Sequence, residues 1–157
     1  TNGIWKTPNN STTVNSWTHC GVTFVGTSTA NDPVIYLNGV SQSLTEQSTP
    51  VGTLDPQTGI LAGAVANLSG DYDGQLAYVQ YFNRELSQGE IRQTMFYPGS
   101  ITNGLQLFWR MDGLQTDEPD LSGNGGNGRR TGAVKGTTEP PINGIFTIPQ
   151  PQLTGAF

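Results

Sequence analysis

Charge is scarce in this 157-residue chain. Only 12% of its residues are Asp, Glu, Lys or Arg, about half the share of an ordinary soluble domain. Seven basic residues against twelve acidic ones leave a net charge of −5, so the chain has no basic field with which to hold nucleic acid. The single cysteine, Cys20, excludes an internal disulfide and a cysteine zinc site. No apolar run approaches the ~18–20 residues that span a bilayer, and neither heptads nor a long helical pattern occurs. The chain begins at Thr1 with no charged n-region or apolar h-region of a signal peptide. It is expected to be a processed product, an excised domain, or part of a larger chain.

Turn formers and small polar residues are abundant. There are 21 glycines and 10 prolines, and much of the remainder is Thr, Ser, Asn and Gln. With 34% hydrophobic and 9% aromatic residues the chain is too apolar to be disordered. The expected class is all-β, from short strands separated by turn chemistry. WTHCGVTFV, 17–25, alternates Thr18, Cys20, Val22 and Phe24 against Trp17, His19, Gly21, Thr23 and Val25, a strand period. VIYLNGVSQSL, 34–44, carries Asn38 and Gly39, the strongest short-range hairpin signal. ILAGAVANL, 60–68, reads as a closely packed strand, and 45–59 as loop. QLAYVQYFN, 75–83, reads as a strand covered on both faces. GLQLFWRMDG, 104–113, places Leu105, Leu107, Trp109 and Met111 on one face. One helix is predicted in SQGEIRQTMFY. Ser87 and Glu90 form a capping box, Ile91 and Met95 form an apolar stripe, and Pro98 with Gly99 stops it.

The expected architecture is an antiparallel two-sheet β-sandwich, a jelly roll, with this helix at its rim. It occupies residues 1–133. A Pro/Gly-rich C-terminal extension, 134–157, lies along the body or reaches a partner. Within it IFTI, 145–148, could add one edge strand.

Three segments in order resemble laminin-G-like, concanavalin A-like domains: WTHCGVTFV, VIYLNGV, and DGQLAYVQYFNRELSQGEI at 73–91. A fourth, GLQLFWRMDG followed by EPDLSGNGGNGRRTGA, resembles the opening of such modules but stands after the helix. This order is similar to that of phage and marine viral structural proteins. Residues 1–16 leave little room for the strands that normally come first. The resemblance implies a virion-surface or extracellular location and a non-catalytic structural role, as a head decoration or tail-fibre module. Implied partners are copies of itself, other virion proteins or a cell-surface glycan, with no membrane insertion. The alternative is an extracellular carbohydrate-binding or adhesin module.

Candidate chemistry is sparse. Sandwich glucanases set their acids as E-x-D-x-x-E on one strand, and Glu46, Glu85, Glu90, Glu118 and Glu139 form no such pattern. His19 and Cys20 are adjacent, so a strand sends them to opposite faces. Cys20 reads as a small core hydrophobe. Ca²⁺ is the cofactor to consider, since related domains bind it on rim loops. The stretch where a pentraxin-type cluster would fall, 62–67, lacks acids. Asp71 and Asp73 flank Tyr72 in GDYDG. Asp120, with Asp112, Asp117, Ser122 and Asn124, forms a second candidate set. For both, turns held by Asx hydrogen bonds are the simpler account. Glycan platforms would be Trp5, Tyr36, Tyr72 and Tyr97, each of which could equally cover an end of the core. Asn67 heads one of three glycosylation sequons.

Overall fold

The computed structural model describes residues 3–53, 59–63, 72–112, 117–136 and 140–141. Among the described residues, nine short strands and one helix follow one another in the order β1 (Ile4–Lys6), β2 (Cys20–Thr23), β3 (Val34–Leu37), β4 (Val40–Ser41), β5 (Thr45–Ser48), β6 (Val79–Phe82), α1 (Gln88–Phe96), β7 (Leu105–Trp109), β8 (Asp117–Glu118) and β9 (Gly128–Arg129). They form four small antiparallel sheets: β1 with β5, β2–β3–β4, β6 with β7, and β8 with β9.

The β3–β4 hairpin forms where Asn38 and Gly39 predict it. Both take positive φ, 49° and 73°, as a type I′ turn requires. The turn is also the seat of the helix. The Gly39 carbonyl accepts hydrogen bonds from Gln88 Nε2 and Arg92 Nε, both at 3.0 Å.

The helix begins as the capping box predicts. Ser87 Oγ accepts from the Glu90 amide at 3.3 Å, and Glu90 Oε2 accepts from the Ser87 amide at 2.8 Å. Arg84 braces the same carboxylate through Nη1 at 3.1 Å and Nη2 at 2.5 Å. Its Nε reaches the Asn103 carbonyl at 3.0 Å. One guanidinium therefore ties the exit of β6, the start of α1 and the approach to β7. Of the predicted apolar stripe, Ile91 is buried and Met95 is half-buried. Ile91 packs on the inner face of β2, where a Cβ on Gly21 would stand 3.0 Å from Ile91 Cδ1.

Among the described residues the buried hydrophobic side chains are Leu37, Leu86, Ile91, Ile101, Leu105, Leu107 and Trp109. Strand β7 supplies three of them at alternate positions, as its period predicts. Met111 does not continue the face, because its φ of 61° turns the chain out of the strand.

Other expectations are corrected. The strand read over 75–83 is confined to Val79–Phe82, since Tyr78 sits at φ 58° and breaks the extended run. Its faces are not both covered, and Tyr81 is exposed. The strand read over 17–25 is confined to Cys20–Thr23. Its Thr23 face is the inner one, while Cys20, Val22 and Phe24 are exposed, so Cys20 is not a core residue. The loop read over 45–59 contains β5, which pairs with β1 through Ile4↔Ser48, Trp5↔Glu46 and Lys6↔Thr45. Residues 60–63 form no strand. The rest of the 60–68 strand and the IFTI stretch lie outside the described residues.

Hydrogen-bond direction shows which strand edges are covered. Asn38 donates its amide to the His19 carbonyl at 2.9 Å. Alternation then directs the backbone groups of Gly21 and Thr23 toward β3, and those of Cys20 and Val22 to the other side. Among the described residues no strand lies there. On β7, Phe108 donates to Asp120 Oδ1 and accepts from the Leu121 amide, while Gln106 accepts from Ser122 Oγ. The intervening Leu107 and Trp109 face Tyr81 and Val79 of β6. Gln80 therefore directs its backbone groups to the far side of β6, again with no described strand beyond.

Candidate functional site

The side chains singled out for chemistry fall at four places. The first is a small pocket of about 320 Å³ lined by Trp5, Asp32, Pro33, Val34, Gln42, Leu44 and Glu46, at the lower end of the size range for small-ligand sites. Strand pairing builds it. Trp5 lies directly across from Glu46 in the β1–β5 ladder, so the two share a face. Asp32 closes the side, its Oδ1 accepting from Trp5 Nε1 at 2.9 Å. The indole is thereby held in one orientation, half-buried, with carboxylate and amide groups around it. Of the aromatic platforms expected from the sequence, Trp5 alone lines this pocket. Tyr36 is half-buried on β3, while Tyr72 and Tyr97 are exposed. Asp32, Gln42 and Glu46 were not singled out from sequence. Glu46 reaches the pocket through the three-residue pairing of β1 with β5, which no local pattern reveals, and Asp32 through its hydrogen bond from the Trp5 indole.

The second place is the loop around Asp120. Its Oδ1 accepts from the amides of Phe108 and Ser122, each at 2.9 Å. Its Oδ2 accepts from Ser122 Oγ at 2.8 Å and from the Gly126 amide at 3.0 Å. Partial burial works against ionisation of this carboxyl. The donors from Phe108, Ser122 and Gly126 outweigh that, and its pKa lies below the ordinary value. Asn124 Nδ2 donates to the carbonyls of Leu105 and Gln106 at 3.1 and 3.2 Å. Asp120, Ser122 and Asn124 do converge, but on the outer edge of β7. Met111, just past that strand, gives its amide to Glu118 at 2.6 Å. Among the described residues no three His, Cys, Asp or Glu side chains are grouped to hold a metal ion. Asp73 is exposed. Asp71, and positions 64–67 of the stretch where a pentraxin-type cluster would fall, lie outside the described residues.

The third place is the pair His19 and Cys20. Desolvation by the surrounding chain lowers the His19 pKa and raises that of Cys20, whose side chain is nonetheless partly open to solvent. Both shifts favour the neutral form, opposite to what a thiolate–imidazolium couple needs. His19 Nδ1 is buried without a hydrogen-bond partner among the described residues.

The fourth is a broad groove of about 1880 Å³ bordered by β2, β6 and one side of α1. Apolar and aromatic side chains are prominent on its walls, including Val22, Phe24, Val25, Leu76 and Tyr81, all exposed. Pro140 and Pro141 also line it.

No family model matches this chain, and neither a curated protein nor a solved structure does.

Proposed function

We propose that the chain is a non-catalytic, laminin-G-like module that builds or decorates a surface, in the setting of a virus particle. Its small sheets would belong to a two-sheet sandwich, and its partners would be copies of itself or other particle proteins. One observation carries this reading: the polar groups best placed for chemistry are engaged in holding backbone. Glu90 and Arg84 fix the helix entry, Asp120 holds the outer edge of β7, and Arg92 holds the hairpin turn. Several large apolar side chains, among them Val22, Phe24, Val25, Leu76 and Tyr81, are exposed along one groove, the kind of surface that associates with protein. The sequence resemblance supplies the virion setting.

The test is the mass of the purified species by light scattering, with and without EDTA. A stable oligomer indifferent to EDTA is expected. A monomer that loosens in EDTA would count against the structural role and favour a calcium lectin. Hydrolysis of a β-glucan would overturn the non-catalytic reading.

The Trp5 pocket favours a second reading, a carbohydrate-binding or adhesin module. An indole face beside a carboxylate and an amide suits a sugar ring, which offers C–H groups to the aromatic and hydroxyls to the polar groups. A glycan array with the native protein and with Trp5→Ala separates the two. Saturable binding lost in the variant supports the lectin, and no binding by the native protein removes it.

A further inference from the structure

We propose that the Trp5 pocket selects a sugar with a free amino group, whose ring lies on the indole and whose ammonium is held by the carboxylates of Asp32 and Glu46. The inference rests on the carbohydrate-binding reading above and goes further, because it names the charge of the sugar.

The aromatic platform is fixed before a ligand arrives. At one end of the indole, Asp32 Oδ1 accepts from Trp5 Nε1 at 2.9 Å. At the other, Gly3 lies so close that a Cβ there would collide with the six-membered ring. A side chain already held in one orientation loses little entropy when a ligand stacks on it. Pro33, Val34 and Leu44 add apolar wall, which suits the C–H groups of a sugar ring. Gln42 is held as well, its Nε2 donating to the Val40 carbonyl at 2.9 Å. The volume of about 320 Å³ suits one monosaccharide unit rather than a length of polymer.

Charge decides the class of sugar. The ionisable side chains lining the pocket are Asp32 and Glu46, both carboxylates. All seven lysines and arginines are among the described residues, and none lines the pocket. Lys6 follows Trp5 directly but stands on the other face of β1, across from Thr45. Among the described residues neither Asp32 nor Glu46 takes part in an ion pair. A neutral sugar would use these carboxylates as acceptors for its hydroxyls. A protonated amine brings three N–H donors and the opposite charge, and hydrogen bonds between ions are roughly twice as strong as neutral ones. The indole face also attracts a cation. The net charge of −5 acts in the same direction at longer range.

The test is calorimetric titration of the full chain with a glucosamine oligosaccharide and with its N-acetylated, neutral counterpart, at low salt and a mildly acidic pH where the amine is charged. The amine form should bind at least tenfold more tightly. Glu46→Gln should bring the two within about threefold of each other while the neutral sugar binds as before. Glu85→Gln removes the same charge from an exposed position outside the pocket and should leave the preference intact. Trp5→Ala should abolish binding of both, and if that variant does not fold, Glu46→Gln decides. Equal binding of the two sugars, or tighter binding of the neutral one, overturns the proposal and leaves the carbohydrate-binding reading standing. Binding of neither overturns both. A preference that survives Glu46→Gln, or falls equally in Glu85→Gln, would show attraction by the whole surface and overturn the pocket assignment. Tetramethylammonium binding as tightly as the amino sugar would also overturn it, because the pocket would then read a cation without the ring.

Discussion

Removing the Asp120 carboxylate should loosen the outer edge of β7 and measurably destabilise the domain. In Asp120→Ala four donors lose their acceptor: the amides of Phe108, Ser122 and Gly126, and Ser122 Oγ. A hydrogen bond to a charged acceptor contributes about 1.5–3 kcal/mol when well buried. This loop is only partly buried and water can replace some partners, so about 0.5–1 kcal/mol for each is appropriate, or roughly 2–4 kcal/mol together. For a domain of this size that lowers Tm by roughly 5–15 °C. Asp120→Asn provides an internal control. It keeps Oδ1 for Phe108 and Ser122 but turns an amide donor toward the Gly126 N–H, so it should lose about half as much. Urea unfolding gives the free energies, and hydrogen exchange at Phe108 locates the effect. A loss within about 0.5 kcal/mol for Asp120→Ala, or an unchanged Phe108 amide, would refute the reasoning. So would a native protein whose stability falls equally in EDTA while the variant ignores EDTA, because the carboxylate would then be holding a cation.

Three further outcomes are expected. Ile91→Ala removes a side chain that is only 4% exposed and should cost about 2–3 kcal/mol in urea unfolding, the low end for such a truncation because Ile91 also lines the groove; no measurable loss would mean that α1 does not pack on β2. Gly39→Ala forces a Cβ to within 2.5 Å of Arg92 Cγ at a φ of 73° and should cost about 1–2 kcal/mol, with a lower urea midpoint at unchanged slope. Acid should weaken the fold in two stages. His19, held below its ordinary 6.5 by burial, contributes stability above that pH that is lost as the pH falls through its folded value. Glu90, brought from 4.5 to about 2 by Arg84, the Ser87 amide and the Ser87 hydroxyl, contributes stability above pH 4.5 that is lost as the pH falls toward about 2. Glu90→Gln should flatten the lower stage alone, and a midpoint constant from pH 7 to 3 would contradict both assignments.

The parts of the fold legible in the sequence are those whose cause is local. Asn38 and Gly39 specify their turn through the sign of φ. Ser87 and Glu90 specify the helix start through two reciprocal bonds. Leu105, Leu107 and Trp109 show their common face through a period of two. What escaped reading depends on distant partners or on single backbone angles. Tyr78 and Met111 occupy left-handed backbone that neither a tyrosine nor a methionine advertises, and these two angles shorten the flanking strands. The pairing of β1 with β5 joins residues about forty apart over three positions. It creates the Trp5 pocket, so the aromatic was identifiable in advance and its carboxylate neighbours were not. Cys20 was misread because alternation shows which residues share a face but not which face is inner. That choice is made by Ile91, seated against Gly21 on the opposite side.

The scarcity of charge noted at the outset has a structural consequence at the sheet edges. Proteins commonly guard an open strand edge with lysines or inward-pointing charges. Here only seven basic residues exist. Arg84 is committed to the helix entry and Arg92 to the hairpin turn. Lys6 and Arg129 stand on β1 and β9, whereas β7 carries no lysine or arginine. On β7 the cover is a glycine-rich loop whose Asp120, Ser122 and Asn124 side chains take the hydrogen bonds that a neighbouring strand would make. Glycine is needed in that loop because its backbone must come close to β7 side chains: a Cβ on Gly126 would lie 2.8 Å from Leu107 Cδ1, and one on Gly128 would lie 2.9 Å from Trp109 Cε2. β2 and β6 likewise carry no lysine or arginine, and among the described residues no further strand pairs with their outer sides. At the outer edge of β7, glycine and uncharged polar residues thus let a loop do what charge does at many other strand edges.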